Sequence, residues 1–103
     1  MASSQAYLDF ILDQLSGAEG ITYRKMMGEY ILYVNGRIFG GIYDDRFLLK
    51  PTPAARRMMP LAAEETPYPG AGAMLLADQV DDRDFLCALL AAMEPELPAP
   101  KKR

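Results

Sequence analysis

The dipeptide Asn35-Gly36 constrains this chain more than any other feature. A two-residue hairpin turn holds both central residues at positive φ, which Asn and Gly tolerate best, so the chain is expected to reverse there between antiparallel strands. The flanks agree. Residues 22–50 are short runs rich in Tyr, Ile, Phe and Leu, punctuated by Gly28, Asn35-Gly36 and Asp44-Asp45, which is the texture of a β-meander. The turn also sets a register. With Val34 opposite Arg37, Leu32 falls opposite Phe39 and Tyr30 opposite Gly41, and a second two-residue turn at Asp44-Asp45 pairs Tyr43 with Arg46. One face of the predicted sheet then collects Ile31, Tyr33, Ile38, Ile42, Phe47 and Leu49, a set apolar enough to need cover from water. The other collects Tyr30, Leu32, Val34, Arg37, Phe39, Tyr43, Arg46, Leu48 and Lys50, which mixes aromatic with basic side chains.

Helical periodicity flanks the meander. Ser3 or Ser4 can cap a helix over residues 5–16, with Tyr7, Leu8, Ile11, Leu12 and Leu15 on one side, Asp9 and Asp13 opposite, and Gly17 and Gly20 beyond. Thr52-Pro53 has the form of an N-cap and first helical residue, opening a short helix that Pro60 stops. Residues 64–72 are expected to form a loop and 74–77 a short strand. For the last helix Asp81 is the expected cap, Val80 and Phe85 the hydrophobic staple, and Asp82 and Asp84 the negative charge at its positive end. Phe85, Leu86, Leu89, Leu90 and Met93 give its buried stripe as far as Glu94, after which Pro95, Pro98 and Pro100 predict an extended tail ending Lys101-Lys102-Arg103. The expected architecture is α+β, a two-layer sandwich whose antiparallel meander carries the N- and C-terminal helices on one face. It occupies a single domain over 1–95, with a Pro-rich basic tail over 96–103.

Composition narrows the chemistry. With 103 residues, 50% hydrophobic and 24% charged, the chain has the make-up of one folded globule. It has no histidine, and its single cysteine, Cys87, can form no internal disulfide and no zinc site of the usual ligand spacing. Cys87 lies among Leu86 and Leu90, where a thiol serves as a small buried hydrophobe. The acidic pairs Asp44-Asp45, Glu64-Glu65 and Asp81-Asp82 fall in turns or at a helix start, not across a cleft as paired catalytic carboxylates require. Gly70-Ala71-Gly72 lacks the third glycine of a dinucleotide fingerprint, Leu75 standing in its place. The methionines Met26-Met27 and Met58-Met59 are expected to fill core space. No catalytic residue, metal or cofactor is therefore assigned, and the chain is read as a non-enzyme. The start of the chain has no basic segment followed by an apolar one, and no run approaches the ~18 apolar residues of a membrane span, so the expected compartment is the cytoplasm without membrane contact.

The mixed sheet face carries the functional expectation. Tyr30, Arg37, Phe39, Tyr43, Arg46 and Lys50 are the candidate partner-binding residues, with the rings as anchors and the cations as charged contacts. A protein partner is expected, on a monomer or a homodimer. Single-stranded nucleic acid, which also uses stacked rings flanked by Arg and Lys, is the alternative, and a net charge of −3 gives it no overall electrostatic pull. A small ligand held between sheet and helices is a third.

The segment Tyr23-Arg24-Lys25-Met26-Met27-Gly28-Glu29-Tyr30-Ile31-Leu32-Tyr33-Val34-Asn35-Gly36, followed by Ile42-Tyr43-Asp44-Asp45-Arg46-Phe47-Leu48-Leu49-Lys50, resembles the N-terminal domain of TfoX/Sxy competence regulators. The resemblance rests on the Met-Gly step before a tyrosine-rich strand, the Asn-Gly hairpin, the Asp-rich second turn and the lysine closing the meander. It implies a fold of antiparallel sheet with helices and a regulatory or adaptor role in competence or transcription, and it brings no catalytic residues. Longer members carry a C-terminal domain of helix-hairpin-helix character, which this sequence does not reach, so direct DNA regulation is not the expectation here.

Overall fold

The computed structural model describes residues 4–26, 29–67, 69–77 and 80–97. The elements in chain order are α1 (Gln5–Gln14), β1 (Ile21–Met26), β2 (Glu29–Val34), β3 (Arg37–Tyr43), β4 (Arg46–Leu49), α2 (Pro53–Met58), β5 (Glu64–Glu65), β6 (Met74–Leu76) and α3 (Arg83–Met93), closed by a 3-10 turn at Glu94–Glu96. The strands form one six-stranded sheet in the order β1-β2-β3-β4-β6-β5, antiparallel at every pairing. The fold class is α+β.

Local chemistry sets the element boundaries. Asn35 and Gly36 sit at φ 52° and 83°, and Asp44 and Asp45 at 55° and 57°, so both predicted hairpin turns form with both central residues left-handed. Ser4 caps α1, its hydroxyl accepting from the Tyr7 N–H at 3.2 Å, while its own N–H donates to Asp45 Oδ1 at 2.8 Å and ties the helix start to the β3–β4 turn. Thr52 caps α2 through the Ala55 N–H at 3.1 Å, with Pro53 at the first helical position.

Four local expectations are corrected. Helix α1 ends at Gln14, with Leu15 as its C-cap. Part of the predicted loop over 64–72 is strand β5, which pairs Glu64 with Leu75 and Glu65 with Met74; a two-residue strand carries too little pattern to be seen in sequence. The cap of α3 is Asp82, not Asp81, its Oδ1 accepting from the Phe85 N–H at 3.0 Å. Finally, Glu96 and Leu97 belong to the fold and not to a tail: Glu96 Oε1 accepts from the Ala54 N–H at 2.8 Å, and Leu97 is buried in the core. Residues 98–103, including the basic Lys101-Lys102-Arg103, lie outside the described residues, as do Met27 and Gly28.

The core joins Leu8, Ile11 and Leu15 of α1 and its cap, Ala54 and Ala55 of α2, and Leu86, Leu89, Leu90 and Met93 of α3 to one side of the sheet. That side is Tyr30, Leu32 and Val34 of β2 with Ile42, Phe47 and Leu49, and this is the reverse of the predicted assignment for β2. The cause is one residue. Beyond the turn Val34 pairs with Arg37 and Tyr33 with Ile38, but Leu32 then pairs with Gly40, Ile31 with Gly41 and Tyr30 with Ile42. Phe39 is the extra residue of a β-bulge, and a one-residue slip carries every side chain of the partner strand to the opposite face. Phe39 turns into the core, where it meets Phe47 edge-on with ring centroids 6.4 Å apart. Ile31 and Tyr33 become half-buried on the other face, and Ile38 becomes exposed.

Candidate binding faces of the sheet

The bulge divides the six candidate residues between two faces. Tyr30 and Phe39 are core residues, 3% and 0% exposed, so neither ring is available to a partner. Arg37 also lies on the helix side, where its Nη1 donates to the carbonyl oxygens of Glu94 at 3.1 Å and Leu97 at 3.4 Å. These are carbonyls past the end of α3, and the guanidinium bridges them, adding to the Leu97 N–H that already donates to the Glu94 carbonyl at 3.2 Å. Beside it Asn35 Nδ2 donates to Glu94 Oε2 at 2.7 Å. Arg37 is thus a clasp on the C-terminal segment.

Tyr43, Arg46 and Lys50 do share a face, the one turned away from the helices. Tyr43 pairs with Arg46 across the β3–β4 turn, and alternation along β4 places Leu48, which is fully buried, on the same side, with the half-buried Lys50 following just beyond the strand. The Tyr43 ring lies over Gly41, where an added Cβ would come within 2.6 Å of Tyr43 Cε2. Arg46 is tied down: it donates to the Tyr43 carbonyl at 3.1 Å and forms an ion pair with Glu65, joining β4 to the far strand β5. Its guanidinium is therefore held toward β5, where it also reaches the Thr66 carbonyl at 3.5 Å. The Lys50 side chain makes no hydrogen bond or ion pair with the described residues.

Sequence reasoning missed three residues of this helix-free face. Ile31 and Tyr33 of β2 and Ile38 of β3 lie here, the last 38% exposed, and none of them belongs to the core cluster. A signal was present: Gly40-Gly41 directly follows Phe39, and glycine inside a strand often marks a bulge. An ideal Cβ on Gly40 would stand 2.2 Å from the Leu48 carbonyl oxygen, so the backbones approach too closely there for any side chain.

Burial, reinforced by the Asp45 carboxylate, raises the Tyr7 phenol above its ordinary pKa. Among the described residues no cluster of three or more His, Cys, Asp or Glu could hold a metal ion. No helix among them is long and apolar enough to cross a membrane. Cys87 is half-buried on α3, with its sulfur facing Gly17. An open groove of about 560 Å³ runs between the end of α1 and β1, lined by Leu12, Leu15, Ala18, Ile21 and Tyr23 among others.

These features define a small α+β domain built on one antiparallel sheet, with its helices gathered against a single core and a helix-free face of tyrosine and isoleucine. Residues 13–89 match the TfoX N-terminal domain, and the chain belongs to that family. It is also similar to a curated protein of Spirochaeta aurantia, described as an uncharacterized 12.7 kDa protein in the trpE 5′ region. The two are 38% identical over 104 residues, an alignment that takes in 100% of this chain and 90% of the relative. No solved structure gives a significant match.

Proposed function

We propose that this chain is a non-enzymatic regulatory domain of the competence-regulator type, acting in the cytoplasm by binding a protein partner through the helix-free face of its sheet. Family membership supports the regulatory part of that reading. The observation that carries the binding part is the face itself: Tyr33, Ile38 and Tyr43 are at least partly open to solvent on a sheet whose buried helix residues all serve the opposite side. Rings and a branched aliphatic beside a half-buried lysine without an ion-pair partner among the described residues are the composition of an interface centre with a charged rim. Tyr30, Phe39 and Arg37 take no part, and Arg46 acts by fixing β4 to β5.

The test is affinity capture from a lysate of the source organism, with and without nuclease, comparing wild type with an Ile38→Asp, Lys50→Glu variant. Both positions lie on the helix-free face, and neither side chain belongs to the core, so the variant is expected to stay folded. A nuclease-resistant partner lost in the variant supports the reading. A signal that nuclease abolishes transfers it to nucleic acid, and capture indifferent to the substitutions removes the face from consideration.

A further inference from the structure

The two edges of the sheet are built differently, and the difference points to a second site. Strand β5 is two residues long and both are glutamates, a short charged edge of the kind that discourages further pairing. Strand β1, at the other end of the order, is six residues long and pairs with β2 in unbroken register from Ile21↔Val34 to Met26↔Glu29. It has no proline and no bulge, and residues 22–26 are all exposed, Tyr23 and Met26 by 46% each. A terminal strand leaves alternate backbone N–H and C=O groups facing outward, so β1 offers a ladder that could accept one more strand.

Beside that ladder lies the apolar groove. Ile21 and Tyr23 project to the helix side, being paired with the core residues Val34 and Leu32. With Leu12, Leu15 and Ala18 they line the groove along the edge. The Tyr23 ring meets Tyr30 edge-on at 5.9 Å, which props it at the groove wall. An added strand would place alternate side chains over this floor.

Charge selects the occupant. The side chains of Arg24 and Lys25 make no hydrogen bond or ion pair with the described residues, and they project to opposite faces of the edge. The strand Ile-Thr-Tyr-Arg-Lys-Met contains no acid. Pairing with a second copy of β1 would therefore gather four cations without a counter-charge, and like charges across a pair are destabilising. We infer that β1 is a strand-addition site for an extended segment of a protein partner, acidic beside Arg24 and Lys25 and apolar beside Ile21 and Tyr23. This site is separate from the helix-free face. The backbone ladder supplies affinity, while the groove and the two cations supply selectivity.

The probe is the capped hexapeptide Thr-Glu-Glu-Val-Thr-Val, whose antiparallel docking sets its glutamates against Lys25 and Arg24; the reversed sequence tests parallel docking. Amide shifts of the isotope-labelled whole chain are followed during titration. The expected result is saturable shifts confined to residues 21–26 and the groove, weakening at least tenfold in an Arg24→Glu, Lys25→Glu variant. That variant should instead take up Thr-Lys-Lys-Val-Thr-Val, showing that it remains folded and that charge decides. The Ile38→Asp, Lys50→Glu variant should bind the acidic peptide as wild type does, so this site and the proposed face can fail independently. No shifts in β1 with either peptide direction at millimolar concentration would overturn the inference. So would shifts in β1 that depend on protein concentration alone, which would make a second copy the occupant.

Discussion

At the scale of single residues, the position of Phe39 decides which side chains are core and which are surface. Two turns fix the ends of β3 at Arg37 and Tyr43, yet β3 accommodates one residue more than its partner requires. The excess is absorbed where Gly40 lets the β4 backbone approach. Gly40→Ala should therefore lower stability by about 1–3 kcal/mol, the usual cost of forcing extra volume into a packed site. Urea denaturation should show a lower midpoint with an unchanged slope; a midpoint equal to wild type would mean that the bulge does not depend on that glycine. Tyr7 supplies a second test. Its phenol binds its proton more tightly in the folded state than in the unfolded chain, because burial and the Asp45 charge disfavour the phenolate. The contribution is fully present below the unfolded pKa of about 10 and is lost as pH rises through the higher folded value. Tyr7→Phe should thus shallow the alkaline fall in stability above about pH 10 while leaving the neutral range nearly unchanged. Equal slopes for the two proteins in that window would count against this account.

At the scale of elements, sequence spoke clearly wherever a backbone group needed one particular side chain. Asn35-Gly36, Asp44-Asp45, Ser4 and Thr52-Pro53 all do what their chemistry dictates, because a turn or cap is decided within four residues. The faces of the sheet were not legible in the same way. Both Tyr30-Leu32-Val34 and Ile31-Tyr33 are apolar enough to be core, so alternation in β2 does not choose between them, and the choice is made across the bulge by Phe47 and Leu49. Three of the six candidate residues were misplaced by that single step. The cap of α2 shows the same limit, since its second half comes from far along the chain. Thr52 satisfies the Ala55 N–H locally, whereas the Ala54 N–H is satisfied by the carboxylate of Glu96, whose negative charge also suits the start of a helix. Thr52→Ala should cost about 1–2 kcal/mol, the upper part of the range for lost caps because the hydroxyl is buried. Thermal unfolding of Thr52→Ser beside it checks the assignment, since serine should recover most of the loss.

For the whole molecule, the C-terminal segment joins elements that are distant in sequence. Residues 94–97 receive Arg37 and Asn35 from the β2–β3 turn, reach Ala54 at the start of α2 and insert Leu97 into the core. The sheet and the helices thus share one closure, and the β2–β3 turn cannot shift without disturbing the 3-10 turn that follows α3. Leu97→Ala should cost about 2–4 kcal/mol as a buried leucine truncation. Arg37→Met keeps most of the side-chain volume but removes the donors to two carbonyls, for a cost of about 1–2 kcal/mol. If the segment acts as one clasp, either change loosens what the other would have weakened, and the double variant should lose less than the sum by at least about 0.5 kcal/mol. Strict additivity in a urea double-mutant cycle would show instead that Leu97 is anchored by the core alone and that Arg37 merely decorates an edge. The distinction bears on function, because the turn that Arg37 braces leads directly into Ile38 and the helix-free face. A loosened clasp with an intact core should weaken partner capture through that face while leaving peptide binding at β1 untouched, which the Arg37→Met variant is suited to show.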